Sequence, residues 1–460
     1  MIIRKHFPNN IERLRIQTLR KYEKLHDNDQ ESVLLLHNLI RKQYKNPEDI
    51  VYMSHAIPSR ISEFYGDFVQ GDSYRMAINL INSTNAKEEE TVSQIVEENN
   101  IIENINDYAY NQSEYGFEVL LGYVEDGKFK IQTVPKDQYF PQSDGSVIFA
   151  TYMFDPTDEN TDVKNRKKIL YTQHYELVGQ NVTITRELWQ IDGEGLADVK
   201  LDLAYAGITA QPLETIEGLG RLPIQQIDNG RRTSWGFGAS DYASIMPQLQ
   251  EVNERRTHIS TQLLKNLDAK MQLPALDSLK TDDGKIASFD SIMVSKDDAE
   301  PKYIINENPL IESTETHIEQ NFKFISWVTA IPMFELLKSA MPERVESLRI
   351  QLFGAIRKTN RKRAKITKGV TEMIKIGYKM LNNAELESDI EIKYSDVLPV
   401  NETVEIENEN AKVDGGLSSR RSAMKRLENF SDDEVDAELE LIKKENIASG
   451  AVNPNNPPTF

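Results

Sequence analysis

Two long helical patterns enclose a short insert of different character, and this layout constrains the chain more than any other feature. The first pattern spans Gln248 to Gln272, with Leu249, Val252, Ile259, Leu263, Leu267 and Met271 close to one 3.6-residue stripe. As a helix it would be roughly 37 Å long, at about 1.5 Å per residue. The second spans Glu312 to Ile331, with Ile318, Phe322, Ile325 and Val328 as its stripe. A narrow apolar stripe on a long charged helix suits a neighbour on one side and water on the other. Between them, Pro274, the turn Asp282-Asp283-Gly284 and the apolar runs Ile286–Val294 and Lys302–Ile305 predict a small strand-containing insert. The layout suits a subunit of a ring or tube better than an enzyme.

Upstream, the period is first helical and then two. Ile11 to Leu25 marks a weak helix, and Ile50, Met53, Ile57, Ile61, Phe64 and Phe68 mark a stronger one ending near Gly71. A single further helix is expected over Lys87–Gln112. From Gly116 the chain changes to short runs of Val, Ile, Tyr and Phe separated by turn pairs such as Asp126-Gly127, Asp144-Gly145 and Asp192-Gly193. These predict one meander of antiparallel strands packed on the preceding helices, an α+β arrangement. Gly236-Phe237-Gly238-Ala239-Ser240-Asp241 is expected to be a tight turn, with Ser240 or Asp241 capping the helix that follows. Downstream, Pro332 breaks the pattern, Met333 to Pro342 reads as an apolar loop or short helix, and a long helix runs from Arg344 to about Leu381. A strand is expected at Ile390–Tyr394, then helices at Glu402–Lys412 and Ser431–Lys444 and a polar tail from Gly450. Between Glu385 and Glu445 there are 18 Asp and Glu against 8 Lys and Arg, so this end is strongly acidic.

Composition removes whole classes of chemistry. With no cysteine among 460 residues, disulfides, thiolate metal sites and thiol nucleophiles are excluded. The seven histidines show no metal-ligand spacing, and no glycine-rich phosphate loop with its lysine is present. Asp282, Asp283 and Asp290 do not match a calcium loop and read as a solvated turn. No catalytic residues, metal site or cofactor are expected. Met1 to His6 has no apolar core behind it, so no signal peptide is read there. The longest apolar patch, Val33–Ile40, is far too short to span a bilayer. A formal net charge of −19 argues against a surface that binds nucleic acid all over. The one basic run, Arg357 to Lys365, reads as a solvated face or as the partner of an acidic neighbour such as the C-terminal segment; direct DNA contact is the sharper alternative.

The order of these parts resembles the portal proteins of tailed bacteriophages, of the compact siphophage type, over about Asn46 to Lys444. The resemblance is carried by His55-Ala56-Ile57-Pro58, Ser113-Glu114-Tyr115-Gly116, Val134-Pro135-Lys136-Asp137-Gln138-Tyr139-Phe140 and Leu222-Pro223-Ile224. Most telling is Gly238-Ala239-Ser240-Asp241-Tyr242 followed by Leu249-Gln250-Glu251-Val252-Asn253. Asp396-Val397-Leu398-Pro399 and Gly415-Gly416-Leu417-Ser418-Ser419 add to it. Where the family often has Ser-Gly followed by Ala-Leu-Lys, this chain has Ser339-Ala340-Met341-Pro342.

The resemblance implies a portal fold in which residues 1–247 and 346–401 form a mixed α/β wing. Residues 248–272 and 312–331 would be the two stem helices, 273–311 the clip between them, 332–345 the tunnel loop, and 402–460 a helical crown with its tail. It implies a dodecameric ring of this chain at one capsid vertex, assembled in the host cytoplasm. The ring would conduct double-stranded DNA without sequence preference during packaging and ejection. Its implied partners are the terminase large subunit, the head–tail adaptor, and the major capsid and scaffold proteins, with no membrane. DNA would pass Met333, Phe334, Leu336, Lys338, Met341 and Arg344 of the tunnel loop and Lys265, Lys270 and Lys323 of the stem. The clip would present Lys280, Asp282, Asp283, Lys285 and Lys296 to the motor and adaptor. Two other classes are weighed beside it: a metal-dependent nucleic-acid enzyme, and another virion adaptor or scaffold.

Overall fold

A computed structural model describes residues 5–29, 50–71, 76–81, 85–158, 162, 165–230, 232–233, 236–267, 270–274, 291–294, 302–304, 310–337, 345–395, 402–428 and 432–448. The chain divides into two compact units: residues 1–70 with 78–391, and residues 71–77 with 392–460.

The first unit begins with helix α1 (Asn10–Asp27), opened by a capping box in which Asn9 accepts from the Glu12 N–H and Glu12 returns to the Asn9 N–H. Helix α2 (Ile57–Gln70) buries Ile61, Phe64, Tyr65 and Val69. The single helix expected over 87–112 is two, α3 (Ala86–Glu98) and α4 (Ile101–Tyr115). The break falls at Asn99 and Asn100, and Asn100 takes a left-handed φ of 45°. Asn99 is buried; its amide donates to the Ile95 and Phe129 carbonyls and accepts from the Ile131 N–H. A side chain that serves the neighbouring strand in this way competes with helical continuation.

The expected meander is split between two sheets. Strands β1 (Phe117–Glu125) and β2 (Lys128–Thr133) form a hairpin through Asp126 and Gly127, both at positive φ, the turn an Asp-Gly pair favours. Their third strand, β8 (Ile224–Asp228), pairs antiparallel with β1 from far along the chain. Strands β3 (Tyr139–Pro141), β4 (Val147–Phe154), β5 (Lys168–Val178), β6 (Asn181–Ile191) and β7 (Ala197–Leu201) follow in order as an antiparallel sheet. A further short strand, Leu213–Ile216, pairs with the Val182 end of β6. One face of this sheet holds Phe140, Ile148, Ala150, Leu170, Trp189 and Ala197 in a core that Phe7 and Ile16 complete.

Helix α5 (Met246–Leu267) ends before the predicted Gln272, because Lys270–Pro274 is a strand, β9. Pro274 disfavours helix in the residue before it, and β9 finds two partners. It pairs with β10 (Ser291–Val294) in parallel and with β11 (Lys302–Ile304) antiparallel. Helix α6 (Leu310–Thr329) then runs back and packs on α5. It stops at Ala330, whose φ is 62°, two residues before Pro332. The short helix α7 (Met333–Leu337) follows, then α8 (Val345–Asn382), which lies across β8, β1 and β2 and against α2, α3 and α4.

The second unit is helical, with α9 (Glu402–Asp414), α10 (Arg420–Glu428) and α11 (Asp432–Ala448). Gly416, at φ 70°, turns the chain after α9, and Ser419 Oγ accepts from the Ser422 N–H at the start of α10. Arg421 pairs with Asp436 at 3.0 Å, and Ala423 and Val435 are buried.

Candidate functional site

The α5–α6 pair with its small sheet is the part of the chain whose layout asks for a function. Leu249, Val252 and Ile259 of α5 and Ile318, Phe322 and Ile325 of α6 are buried. Arg256 reaches Glu315 at 2.6 Å, and Glu251 takes both Arg255 (2.8 Å) and His317 (3.3 Å). The Arg255 hydrogen bond and the nearby charges hold the Glu251 carboxyl below its ordinary range. Near the end of α6 two aromatic side chains stand open on an otherwise polar exposed face: Trp327 is 78 % exposed and Phe324 lies beside it, ring centroids 6.0 Å apart. On α8, Ile350 and Phe353 are exposed as well. Here α8 passes close to the end of α6, since a Cβ on Gly354 would lie 3.3 Å from that of Ala330.

A second device ties residues 51–55 to α5. The N–H groups of Val51, Met53 and His55 donate to Thr261 Oγ1, Thr257 Oγ1 and Asn253 Oδ1, at 3.1, 2.9 and 3.2 Å. Every second residue of an extended chain advances about 6.6 Å and every fourth residue of a helix about 6 Å, so the two repeats keep step. Three polar residues four apart thus serve as acceptors for a segment that pairs with no strand among the described residues.

The third device is a buried charge cluster where the turn before α5, the end of α6 and the middle of α8 meet. Asp241 lies with Lys358 Nζ at 2.9 Å and Lys362 Nζ at 3.2 Å. Its two oxygens also accept from Asn229 Nδ2 (2.9 Å) and Ser113 Oγ (2.8 Å), and its N–H donates to the Ser113 carbonyl at 2.9 Å. Lys358 donates to the Thr329 carbonyl at 3.2 Å and sits 4.3 Å from the centre of the Tyr65 ring. The Tyr65 hydroxyl donates to the same carbonyl, so the end of α6 is held from two sides. Burial by itself would raise the Asp241 carboxyl; the two lysines outweigh it and hold the group well below the usual carboxylate range. Burial pulls Lys362 down to about 8 against the raising effect of Asp241. The expected cap is not made: Ser240 Oγ accepts from the Tyr242 N–H at 3.1 Å within the turn, Asp241 turns inward to the lysines, and α5 begins only at Met246.

The basic run is therefore divided. Lys358 and Lys362 pair with Asp241, Arg363 donates to the Val69 carbonyl at 2.9 Å, and Arg357, Arg361 and Lys365 face outward. Of the residues expected along a DNA path, Lys323 is exposed and paired with Glu319 at 2.8 Å. Phe334 is buried, Met333 and Leu336 are half-buried, and all three lie on α7. Lys270 opens β9 opposite Ile304, not on the helix, and Lys265 is in the last turn of α5. Lys338, Met341 and Arg344, and the insert residues Lys280, Asp282, Asp283, Lys285 and Lys296, lie outside the described residues. Among the described residues no group of His, Asp and Glu is placed to hold a metal, and no helix is long and apolar enough to cross a membrane.

Residues 307–450 match the family model described as phage portal protein, SPP1 Gp6-like. No curated protein matches the chain. Among solved structures, the chain is similar to one in the neck of an empty GTA particle, with 10 % identity, a TM-score of 0.44, and coverage of 81 % of this chain and 90 % of that one. It is also similar to one in the virion of a native gene transfer agent particle, with 11 % identity, a TM-score of 0.40, and coverage of 82 % and 94 %. The resemblance to phage portal proteins drawn from sequence and the family match thus agree over α6, α8 and the acidic C-terminal helices.

Proposed function

We propose that this chain is a phage portal protein, a non-enzymatic ring subunit at one capsid vertex. The observation that carries the reading is the match of residues 307–450 to the phage portal family model. The helix–sheet–helix layout of α5, β9–β11 and α6 supports it. In this reading α5 and α6 are the stem, residues 273–311 the clip that receives the packaging motor and later the head–tail adaptor, and residues 332–345 the tunnel loop. Residues 402–460 are the crown, and the remainder is the wing. DNA passes the ring without sequence preference, because an acidic conduit with scattered lysines such as Lys265, Lys323 and Lys338 meets only phosphate. Assembly partners are further copies of this chain, capsid and scaffold proteins.

Negative-stain electron microscopy of the purified chain, with mass by light scattering, tests this directly. Rings with a central hole are expected. A chain that stays monomeric at high concentration and in the presence of scaffold protein counts against the reading. Deleting Lys280–Lys296 is expected to abolish motor binding while rings still form, and motor binding by that deletion removes the clip assignment. Lys338→Glu is expected to alter packaging and leave ring formation unchanged.

A further inference from the structure

A cavity of 310 Å³ lies between the 239–244 turn and α8, with Asp241, Ser244, Val328, Lys358, Arg361 and Lys362 in its wall. Its charges do not balance. Three cations face it and one carboxylate, and that carboxylate is shared between Lys358 and Lys362 and also accepts from Asn229 and Ser113. Lys362 is 2 % exposed at its side chain; its Nζ lies 3.2 Å from Asp241, a carboxylate it shares with Lys358, and 5.2 Å from the centre of the Tyr65 ring. An ammonium carries three donors, so a buried one in this position is left with capacity and with charge. Arg361 stands exposed beside it with no carboxylate partner among the described residues. A buried charge excess of this kind is costly unless an anion meets it.

We propose that this cavity is a binding site for one free oxyanion of the phosphate class, held by Lys362 at its base and Arg361 at its rim, with Lys358 adding charge. Tetrahedral oxyanions supply the acceptors that an ammonium and a guanidinium together require. The burial of Lys362 favours a small free ion over a phosphate in a duplex backbone. Bound there, the ion adds a link between the turn before α5 and α8. The site does not depend on the portal reading, since it uses only groups within one chain.

The test is thermal melting and calorimetric titration of the full-length chain with sodium phosphate, against sodium chloride at matched ionic strength. A saturable rise in melting midpoint specific to phosphate is expected. Lys362→Met is expected to lose it, and Arg361→Gln to weaken binding about tenfold, equivalent to about 1.4 kcal/mol. Should Lys362→Met fail to fold, the exposed Arg361→Gln decides alone. An equal rise in chloride, or an unchanged phosphate affinity in Arg361→Gln, overturns the proposal. So does a rise produced by a short DNA duplex and not by phosphate.

Discussion

Asp241 and Lys358 meet at 2.9 Å inside the protein and join the turn before α5 to the middle of α8. Lys358 also holds the Thr329 carbonyl, so one ion pair positions both long helices of the α5–α6 pair relative to α8. Asp241→Asn leaves the half-buried Lys358 and the buried Lys362 without their counter-charge and is expected to cost about 3–5 kcal/mol. Urea denaturation measures it; a loss under 1 kcal/mol at neutral pH (about the value of an exposed pair) would mean the cluster is not the anchor described here.

The same cluster makes stability rise with pH in two separate windows, one acid and one alkaline. The Asp241 carboxyl is held low in the folded state, so its stabilisation is full above the ordinary carboxylate range and is lost as acid protonates it. Lys362 releases its proton at about 8 when folded and near 10.5 when unfolded. Between those values the unfolded chain binds more protons, so this lysine makes stability rise with pH. Wild type is therefore expected to gain stability relative to Lys362→Met from pH 8 to 10.5, and a flat difference across that window removes the claim.

Two glycines of the Gly236–Asp241 turn are expected to differ sharply on substitution. A Cβ on Gly238 would lie 2.1 Å from the Gly116 carbonyl oxygen and 2.4 Å from the Asn229 nitrogen, both backbone atoms that cannot step aside. Gly238→Ala should cost about 4 kcal/mol or more, or prevent folding. Gly236 faces open space at φ 81°, so Gly236→Ala should cost only the left-handed backbone, about 1–2 kcal/mol. Equal melting midpoints for the two variants would contradict this.

Thr257→Val keeps the shape of the side chain and removes the acceptor of the Met53 N–H. A loss of about 1–3 kcal/mol is expected. Limited proteolysis should show earlier cleavage near residues 50–56; an unchanged digest would show that the segment is held by its apolar contacts alone.

Trp327, 78 % exposed beside Phe324, is the most open aromatic of the α5–α6 pair. In a ring this face would be covered by a neighbouring copy. Trp327→Glu is expected to abolish rings while leaving the far-ultraviolet dichroism of a folded chain. Rings that form normally place the subunit contact elsewhere.

Much of this protein follows from local pattern. The helical stripes of α5, α6 and α8, the Asp126-Gly127 hairpin and the insert between two helices are all legible, because periodicity and turn chemistry act over a few residues. Other features required the tertiary structure. Asn99 breaks a helix only because Phe129 and Ile131 of the next hairpin claim its amide. The meander divides because β8, distant in sequence, adds to β1 and not to the larger sheet. The four-residue spacing of Asn253, Thr257 and Thr261 on α5 gains meaning only beside Val51, Met53 and His55. Lys358 and Lys362, one turn apart, look like any basic helix face until Asp241 is folded against them. Patterns within a segment set what that segment becomes. Which buried charge finds a counter-charge is decided only when segments far apart in the chain are packed together, because burial is what makes the pairing strong and its loss expensive.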